Sequence, residues 1–271
     1  ILFGRQVFVG LRNSAGSLTM GRQYDFMFDV LALGGYTNAG HNQIGEMGQG
    51  LDGASMVITN PATLATATGT LGNRTYGARV DNAIKFSSAN FNGLTFGALV
   101  GFGEVPGNQE RGRTGSLGVN YVNGPFAAGM AYAKINQATA ATHTEVWGLG
   151  AKYLLGNATL YGSYIDLKHT GTVAGWLAPQ LQTTGLGVDY KIDPRWSAGL
   201  AMQRQSRNGG KGGATQLTAA AAYQATPSTW LYVSAASAKD DAFGATAVFG
   251  AGGPSQTDSQ NVLRLGVRQS F

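Results

Sequence analysis

The stretch from Leu186 to Arg204, LGVDYKIDPRWSAGLAMQR, decides the fold class. From Leu186 to Ile192, each apolar side chain is followed by a polar or small one. The alternation resumes at Trp196, after the turn-forming residues Asp193-Pro194-Arg195. A period of two residues is that of a β-strand with one apolar face. The stretch therefore predicts two antiparallel strands joined by a tight turn.

The same alternating unit recurs along the whole chain. Its copies are about ten residues long, which suits a tilted membrane strand better than an ordinary globular strand. We predict thirteen strands, at residues 1–12, 16–24, 80–89, 93–102, 114–123, 126–135, 144–155, 157–167, 182–192, 195–206, 213–225, 228–238 and 259–271.

The connections between these strands are of two kinds, which alternate strictly. Short turns, of which Gly156-Asn157 is an example, alternate with longer polar connections, of which residues 239–258 are an example. Short turns on one rim and long loops on the other are typical of outer-membrane barrels. One connection, residues 25–78, is much longer than the rest. Within it, Asn60-Pro61 predicts the start of a short helix that ends near Gly69.

The composition excludes several classes of protein. Glycine supplies 42 of the 271 residues, roughly twice its usual share, and charged residues only 12%. The lack of cysteine excludes thiol catalysis, disulfides and cysteine metal sites. The net charge of +5 comes without a run of lysines and arginines, so we expect no nucleic-acid surface. No stretch is apolar throughout, as a spanning helix requires, and no motif indicates a metal or a cofactor.

The last predicted strand shows what kind of sheet this is. Lipid cannot hydrogen-bond a backbone amide, so a sheet crosses a membrane only as a closed barrel with an apolar outside. One face of residues 259–271 is apolar and the other is basic and small, which predicts a transmembrane antiparallel β-barrel. The apolar face carries Leu263, Leu265, Val267 and Phe271, and the lumen face carries Arg264, Gly266 and Arg268.

Several segments together resemble the general porins of Gram-negative bacteria, most closely the β-proteobacterial trimeric group. Their order and spacing match over nearly the whole chain. They are RQVFVGL at Arg5–Leu11, GRQYD at Gly21–Asp25, RVDNAIKF at Arg79–Phe86, NGL at Asn92–Leu94 and VRQSF at Val267–Phe271.

The resemblance implies a barrel of sixteen strands that assembles as a homotrimer. Its third outer loop would fold into the lumen and narrow it, and residues 25–78 occupy the position of that loop. Residues 1–271 are then a single barrel domain. Because thirteen strands are predicted, and residue 1 lies inside a strand without a signal peptide, we expect the first three strands to be missing.

The resemblance also assigns residues to a pore constriction, where wall arginines face acids on the loop. Arg5 and Arg79 match two wall arginines, and the loop acids would be Asp29, Glu46 and Asp52. The alternatives are that the arginines are rim or structural charges and that the acids are ordinary solvated loop residues. Arg5 has the parity of Val7 and the other apolar residues of its strand, which would ordinarily point it at lipid.

Other charged residues are predicted to lie at the subunit contact or on the barrel wall. Arg22 is expected near the subunit contact, and Arg264 and Arg268 face the lumen by parity, as do Lys152 and Lys191. The alternative is that these are wall charges balanced by their neighbours. The resemblance also implies that a terminal aromatic on an alternating strand is the signal for the outer-membrane assembly machinery. Here that signal would consist of Leu265, Val267 and Phe271.

We therefore predict an outer-membrane porin through which small hydrophilic solutes and ions diffuse passively, with a mild anion preference. Its partners would be two further copies, outer-membrane lipid and lipopolysaccharide, and the barrel assembly machinery. One alternative is an outer-membrane barrel enzyme, although no convergent set of catalytic residues is visible. The other is a secreted β-rich adhesin, although a solenoid would show a fixed short repeat.

Overall fold

The computed structural model describes residues 4–36, 57–58, 79–138, 141–170, 180–208, 212–241, 246–247 and 257–270. Most of these residues belong to one antiparallel sheet of thirteen strands. Each strand pairs with its neighbours in chain order, and the first and last strands of the chain lie at the two ends of the sheet, so the described sheet is a continuous meander. The alternation seen in the sequence thus becomes a sheet with two chemically different faces.

The strands of the sheet have the following bounds: β1 Val7–Asn13, β2 Gly16–Tyr24, β4 Arg79–Ser88, β5 Leu94–Gly101, β6 Thr114–Asn123, β7 Phe126–Asn136, β8 His143–Leu155, β9 Ala158–His169, β10 Gln180–Lys191, β11 Trp196–Arg207, β12 Gly213–Thr226, β13 Thr229–Asp240 and β15 Ser259–Gln269. Two short strands, β3 Val57–Ile58 and β14 Thr246–Ala247, pair with each other. The prediction of thirteen strands is confirmed, and most ends lie within two residues of their predicted positions.

The first strand is the main exception. It was predicted to start at residue 1, but β1 starts at Val7, and the ladder ends at the pair Val7–Arg22. The carbonyl of Gly4 instead accepts a hydrogen bond of 3.1 Å from Nε of Arg22. Arg5 therefore lies in a bend before β1, where strand parity does not set its direction. The predicted helix from Asn60 to Gly69 lies outside the described residues.

The two faces of the sheet differ as a membrane barrel requires. The apolar side chains of β15 are highly exposed, with Leu265 at 74% and Val267 at 66%. The opposite face carries small and polar side chains, many of them buried, such as Gln203, Gln216 and Ser234, and an apolar patch between β5 and β10. We call these the apolar face and the inner face. An apolar outer face and a polar interior are the arrangement of transmembrane barrels.

The tight turns follow the sequence closely. In the turn between β10 and β11, Oδ1 of Asp193 accepts hydrogen bonds of 2.7 Å from the backbone N–H groups of Arg195 and Trp196. In the turn after β8, Gly156 has a φ of 59°, a left-handed conformation that glycine adopts without a steric penalty. Within the described parts of the chain, no helix is long and apolar enough to cross a membrane.

Candidate functional site

The chain leaves the sheet after Tyr24 and folds onto the inner face. Asp25 starts this turn, because its Oδ1 accepts the N–H of Phe28 at 3.1 Å and its carbonyl accepts the N–H of Asp29 at 3.1 Å. A short π-helix, Met27–Ala32, follows. The N–H of Phe26 is bound to Oγ of Ser116 on the inner face, at 3.0 Å. We call residues 25–36 the docked segment.

Apolar side chains hold the docked segment against the sheet. Met27 and Leu31 are fully buried, and Phe26 and Val30 are nearly so. They belong to one hydrophobic cluster with inner-face residues of the neighbouring strands: Leu99, Ala127, Ala131, Ala133, Val146, Ile165, Leu167 and Leu181. Burial of these four large side chains favours docking by about 1.5–3 kcal/mol each.

Glycines on the inner face make room for these side chains. A Cβ atom at Gly118 would lie 2.7 Å from Cβ of Phe26, and one at Gly148 would lie 2.6 Å from Cδ1 of Leu31. No real side chain tolerates such distances without movement. Five glycines on four adjacent strands share this property, and we call them the glycine track: Gly97, Gly118, Gly129, Gly148 and Gly150.

A lysine fixes the start of the docked segment. Nζ of Lys85 donates a hydrogen bond of 2.8 Å to the carbonyl of Tyr24 and forms an ion pair with Asp29. The ammonium also lies 4.7 Å from the ring centroid of Phe26. Burial raises the pKa of Asp29 above its usual value of 3.8, and the charge of Lys85 partly opposes that rise. Asp29, predicted to face the wall arginines, is thus paired with a lysine.

A second lysine and a tyrosine fix the other end. Nζ of Lys152 donates a hydrogen bond of 2.7 Å to the carbonyl of Gly34 and lies 5.5 Å from the ring centroid of Tyr36. The hydroxyl of Tyr36 donates to Oδ1 of Asn120 on the inner face. Burial raises the pKa of Tyr36 to about 12, so this hydroxyl stays protonated and remains a donor.

The two predicted wall arginines meet at one aromatic ring. Nε of Arg79 donates a hydrogen bond of 2.9 Å to the hydroxyl of Tyr24. The guanidinium carbons of Arg79 and Arg5 lie 5.3 Å and 5.9 Å from the centroid of the Tyr24 ring. That ring stacks on Phe28 of the docked segment, with 3.8 Å between centroids. We call Arg5, Tyr24 and Arg79 the arginine cluster.

Arg22 lies on the other face of the sheet. It pairs in register with Val7, whose side chain is exposed on the apolar face, and it forms an ion pair with Asp81. A bulge in the pairing of β2 with β4, where Asn82 has a φ of 46°, brings Asp81 to that face.

The remaining predicted residues are placed as follows. Arg264 lies opposite the buried Ser234 and Arg268 opposite Trp230, in register, and both alternate with the exposed leucines and valine of β15. Lys191 ends β10. Glu46, Asp52 and Phe271 lie outside the described residues. In the parts of the chain that the structure describes, no group of three histidine, aspartate or glutamate residues could hold a metal ion.

Sequence reasoning missed the residues that position the docked segment. Lys85 was quoted only as part of a motif, and Lys152 only as a wall charge. A signal for the π-helix was present, because Phe26, Met27, Val30 and Leu31 have the spacing of a helical apolar face. The glycine track carried no local signal, since its members become neighbours only through strand register, as in the pair Gly97–Gly118.

An antiparallel sheet with an apolar outer face, and with a chain segment docked on its inner face, has the organisation of a β-barrel membrane channel. The family model of Gram-negative porins matches residues 2–242, so the chain belongs to the Gram-negative porin family. No protein with a curated description gives a significant match.

Solved structures agree with this assignment. The anion-selective porin from Comamonas acidovorans has a TM-score of 0.75 at 22% identity, over 99% of this chain and 78% of that chain. OmpF of Salmonella typhi, in complex with daunomycin, has a TM-score of 0.66 at 18% identity, over 97% and 78%. OmpT of Vibrio cholerae, in a trimer form, has a TM-score of 0.58 at 13% identity, over 97% and 79%.

The predicted fold class, general function and location are therefore confirmed. The chain is a diffusion porin of the Gram-negative outer membrane, which it crosses with β-strands. Family and fold indicate a channel rather than an enzyme. Neither alternative, the barrel enzyme or the secreted adhesin, gains support from these comparisons.

Proposed function

We propose that this porin passes small hydrophilic anions more readily than cations, and that the arginine cluster lies at its constriction. The observation that carries the proposal is an imbalance of charge around the docked segment. Among the described residues, Arg5, Arg79 and Lys152 form no ion pair with a carboxylate. Of the two acids of the docked segment, Asp29 is paired with Lys85, and Asp25 is buried and accepts the N–H of Phe28.

The physical basis is the field inside a narrow, water-filled barrel. Uncompensated cations beside low-dielectric walls raise the local concentration of anions and lower that of cations. Selectivity then depends on pore width and on the sign of this charge, and no covalent step is involved. A protein of similar fold, the porin from Comamonas acidovorans, is anion-selective.

In this proposal, residues 25–78 form the constriction loop of a single barrel domain, residues 1–271. The docked segment is its first part and holds the loop to the wall. Glu46 and Asp52 are the proposed acids on the opposite side of the pore from the arginines. Arg264 and Arg268 add positive charge to the wall farther along the sheet.

The proposed assembly is a homotrimer. A protein of similar fold, OmpT of Vibrio cholerae, has a trimer form. The strongly exposed apolar side chains of β1, with Val9 at 75% and Leu11 at 82%, provide a surface that another subunit or lipid can cover. The ion pair of Arg22 with Asp81 lies on the same face, so we assign Arg22 to the subunit contact.

Further partners follow from the same surfaces. The apolar face would contact outer-membrane lipid and lipopolysaccharide. The exposed Leu265 and Val267, together with Phe271, would present the C-terminal strand to the barrel assembly machinery. Small hydrophilic solutes and anions would occupy the lumen.

The reversal potential in planar bilayers under a salt gradient tests the proposed selectivity. We expect an anion-selective potential for the wild type and a smaller one for a variant carrying Arg5→Gln and Arg79→Gln. Arg195→Gln is the matched control, because Arg195 is an exposed turn arginine remote from the docked segment. A cation-selective wild type would refute the preference, and an unchanged double variant would refute the role of the cluster.

Trimer formation is tested separately by gel migration with and without heating. We expect Arg22→Ala to lower the temperature at which the trimer dissociates, whereas Arg204→Ala, at an exposed arginine on β11, leaves it unchanged. Equal dissociation temperatures would remove Arg22 from the subunit contact.

A further inference from the structure

We infer that Tyr24 is a positioning residue that sets the selectivity of the pore by holding both wall arginines on its ring. This inference rests on the proposed role of the arginine cluster and deepens it. The arginines themselves carry the charge, and Tyr24 determines where that charge is.

A hydrogen bond joins Arg79 to Tyr24. Nε of Arg79 donates to the Tyr24 hydroxyl at 2.9 Å, and the guanidinium carbon lies 5.3 Å from the ring centroid. The hydroxyl and the ring thus restrain the same side chain at two points. A long arginine side chain would otherwise sample many rotamers, which would spread its charge over the pore mouth.

Two like charges share the Tyr24 ring. Arg5 lies 5.9 Å from the Tyr24 centroid, so both guanidinium groups fall within the range of a cation–π contact. No carboxylate among the described residues pairs with either of them. Their mutual repulsion would separate them, and the contact of both groups with the negative face of the Tyr24 ring opposes that separation.

Tyr24 is itself held in place by its neighbours. Tyr24 is 7% exposed, and its ring stacks on Phe28 at 3.8 Å, with 14° between the ring planes. Its backbone carbonyl accepts the hydrogen bond from Lys85. Tyr24 therefore connects the arginines to the anchored start of the docked segment, and a shift of this segment would move the arginines with it.

Tyr24→Leu removes both restraints, whereas Tyr24→Phe removes only the acceptor for Arg79. We expect Tyr24→Leu to lower the population of arginines in their present positions about two- to fivefold, the factor equivalent to the loss of a cation–π contact. The ratio of anion to cation permeability should fall with it. Tyr24→Phe should retain most of that ratio, because both cation–π contacts and the stack on Phe28 remain.

The experiment measures reversal potentials for each Tyr24 variant alone and in the Arg5→Gln/Arg79→Gln background. If Tyr24 acts through the arginines, Tyr24→Leu has no further effect in that background. If Tyr24 is merely structural, Tyr24→Leu alters conductance and thermal stability equally in both backgrounds. This inference is overturned if Tyr24→Leu keeps wild-type selectivity while the double arginine variant loses it. That result leaves the proposed function intact.

Tyr24→Phe keeps the inference testable even if Tyr24→Leu fails to assemble. Its small loss of selectivity should disappear in the Arg79→Gln background and persist in the Arg5→Gln background, because only Arg79 uses the hydroxyl. Equal losses in both single-arginine backgrounds would contradict the assigned hydrogen bond. A double arginine variant with unchanged selectivity would overturn both the proposed function and this inference.

Discussion

The glycine track predicts that the substitution Gly118→Ala displaces the docked segment. The new Cβ would lie 2.7 Å from Cβ and Cδ1 of Phe26 and 2.8 Å from Cγ. Carbon atoms in contact prefer about 3.5–4.0 Å, so the docked segment must move by about 1 Å. Overpacking of this kind costs about 1–3 kcal/mol. Because the sheet lies behind the segment, the movement is directed into the pore.

The assay combines single-channel conductance in planar bilayers with thermal unfolding in detergent. We expect Gly118→Ala to lower the conductance and the unfolding temperature together. Gly115→Ala is the control on the same strand, because a Cβ at Gly115 would meet nothing within 4 Å. It should leave the conductance unchanged.

The clash itself can be checked with Phe26→Ala, which removes two of the three crowded carbons. Phe26→Ala alone should cost about 3–5 kcal/mol, because the ring is buried. The double variant should then lose less stability than the sum of the two single losses. If Gly118→Ala and Gly115→Ala have the same conductance and stability, the docked segment does not lie against the track as described.

Variants at three residues test the anchors of the docked segment. Asp29→Asn leaves the Lys85 charge uncompensated, so the reversal potential should shift toward anions; an unchanged potential would place the pair away from the ion path. Burial raises the pKa of Asp29, so the stabilisation linked to its protonation is complete below about pH 3.8 and is lost as the pH rises through the raised pKa. The unfolding temperature of the wild type relative to Asp29→Asn should therefore fall as the pH rises through this range, and a rise would contradict the prediction. Lys152→Gln removes a pore cation and a charged hydrogen bond, so it should weaken the anion preference and lower the stability by about 1.5–3 kcal/mol. A change in stability alone would show that the charge of Lys152 does not act on ions in the pore. Tyr36→Phe removes the hydrogen bond to Asn120 and should cost about 0.5–1.5 kcal/mol without altering selectivity, as measured by unfolding and by reversal potential.

The sheet could be predicted from the sequence because its signal is local. The hairpin of β10 and β11 was predicted at 182–192 and 195–206, and it forms at Gln180–Lys191 and Trp196–Arg207. Alternation and turn chemistry are properties of neighbouring residues, and a strand that slips by one residue would turn its apolar side chains away from lipid. Such a pattern leaves little freedom in the register of the strands.

The candidate site could be predicted only in part, because its contacts join distant segments. Arg22 and Asp81 are 59 residues apart, and the bulge at Asn82 that aligns them has no signature in the alternation. The parity argument for Arg5 was wrong because β1 starts at Val7. Its neighbour on the Tyr24 ring, Arg79, comes from the far end of the long connection.

The high glycine content takes on a different meaning once the register is known. In the sequence it indicated a β-rich chain, but the glycine track shows that several glycines are binding surface for the docked segment. An alanine would suit a strand better by propensity, yet its methyl group would displace Phe26 or Leu31. The inner face therefore gives up strand stability at these positions to seat the docked segment. Lys85 and Lys152 then fix both ends of that segment, and the arginine cluster takes its position from it.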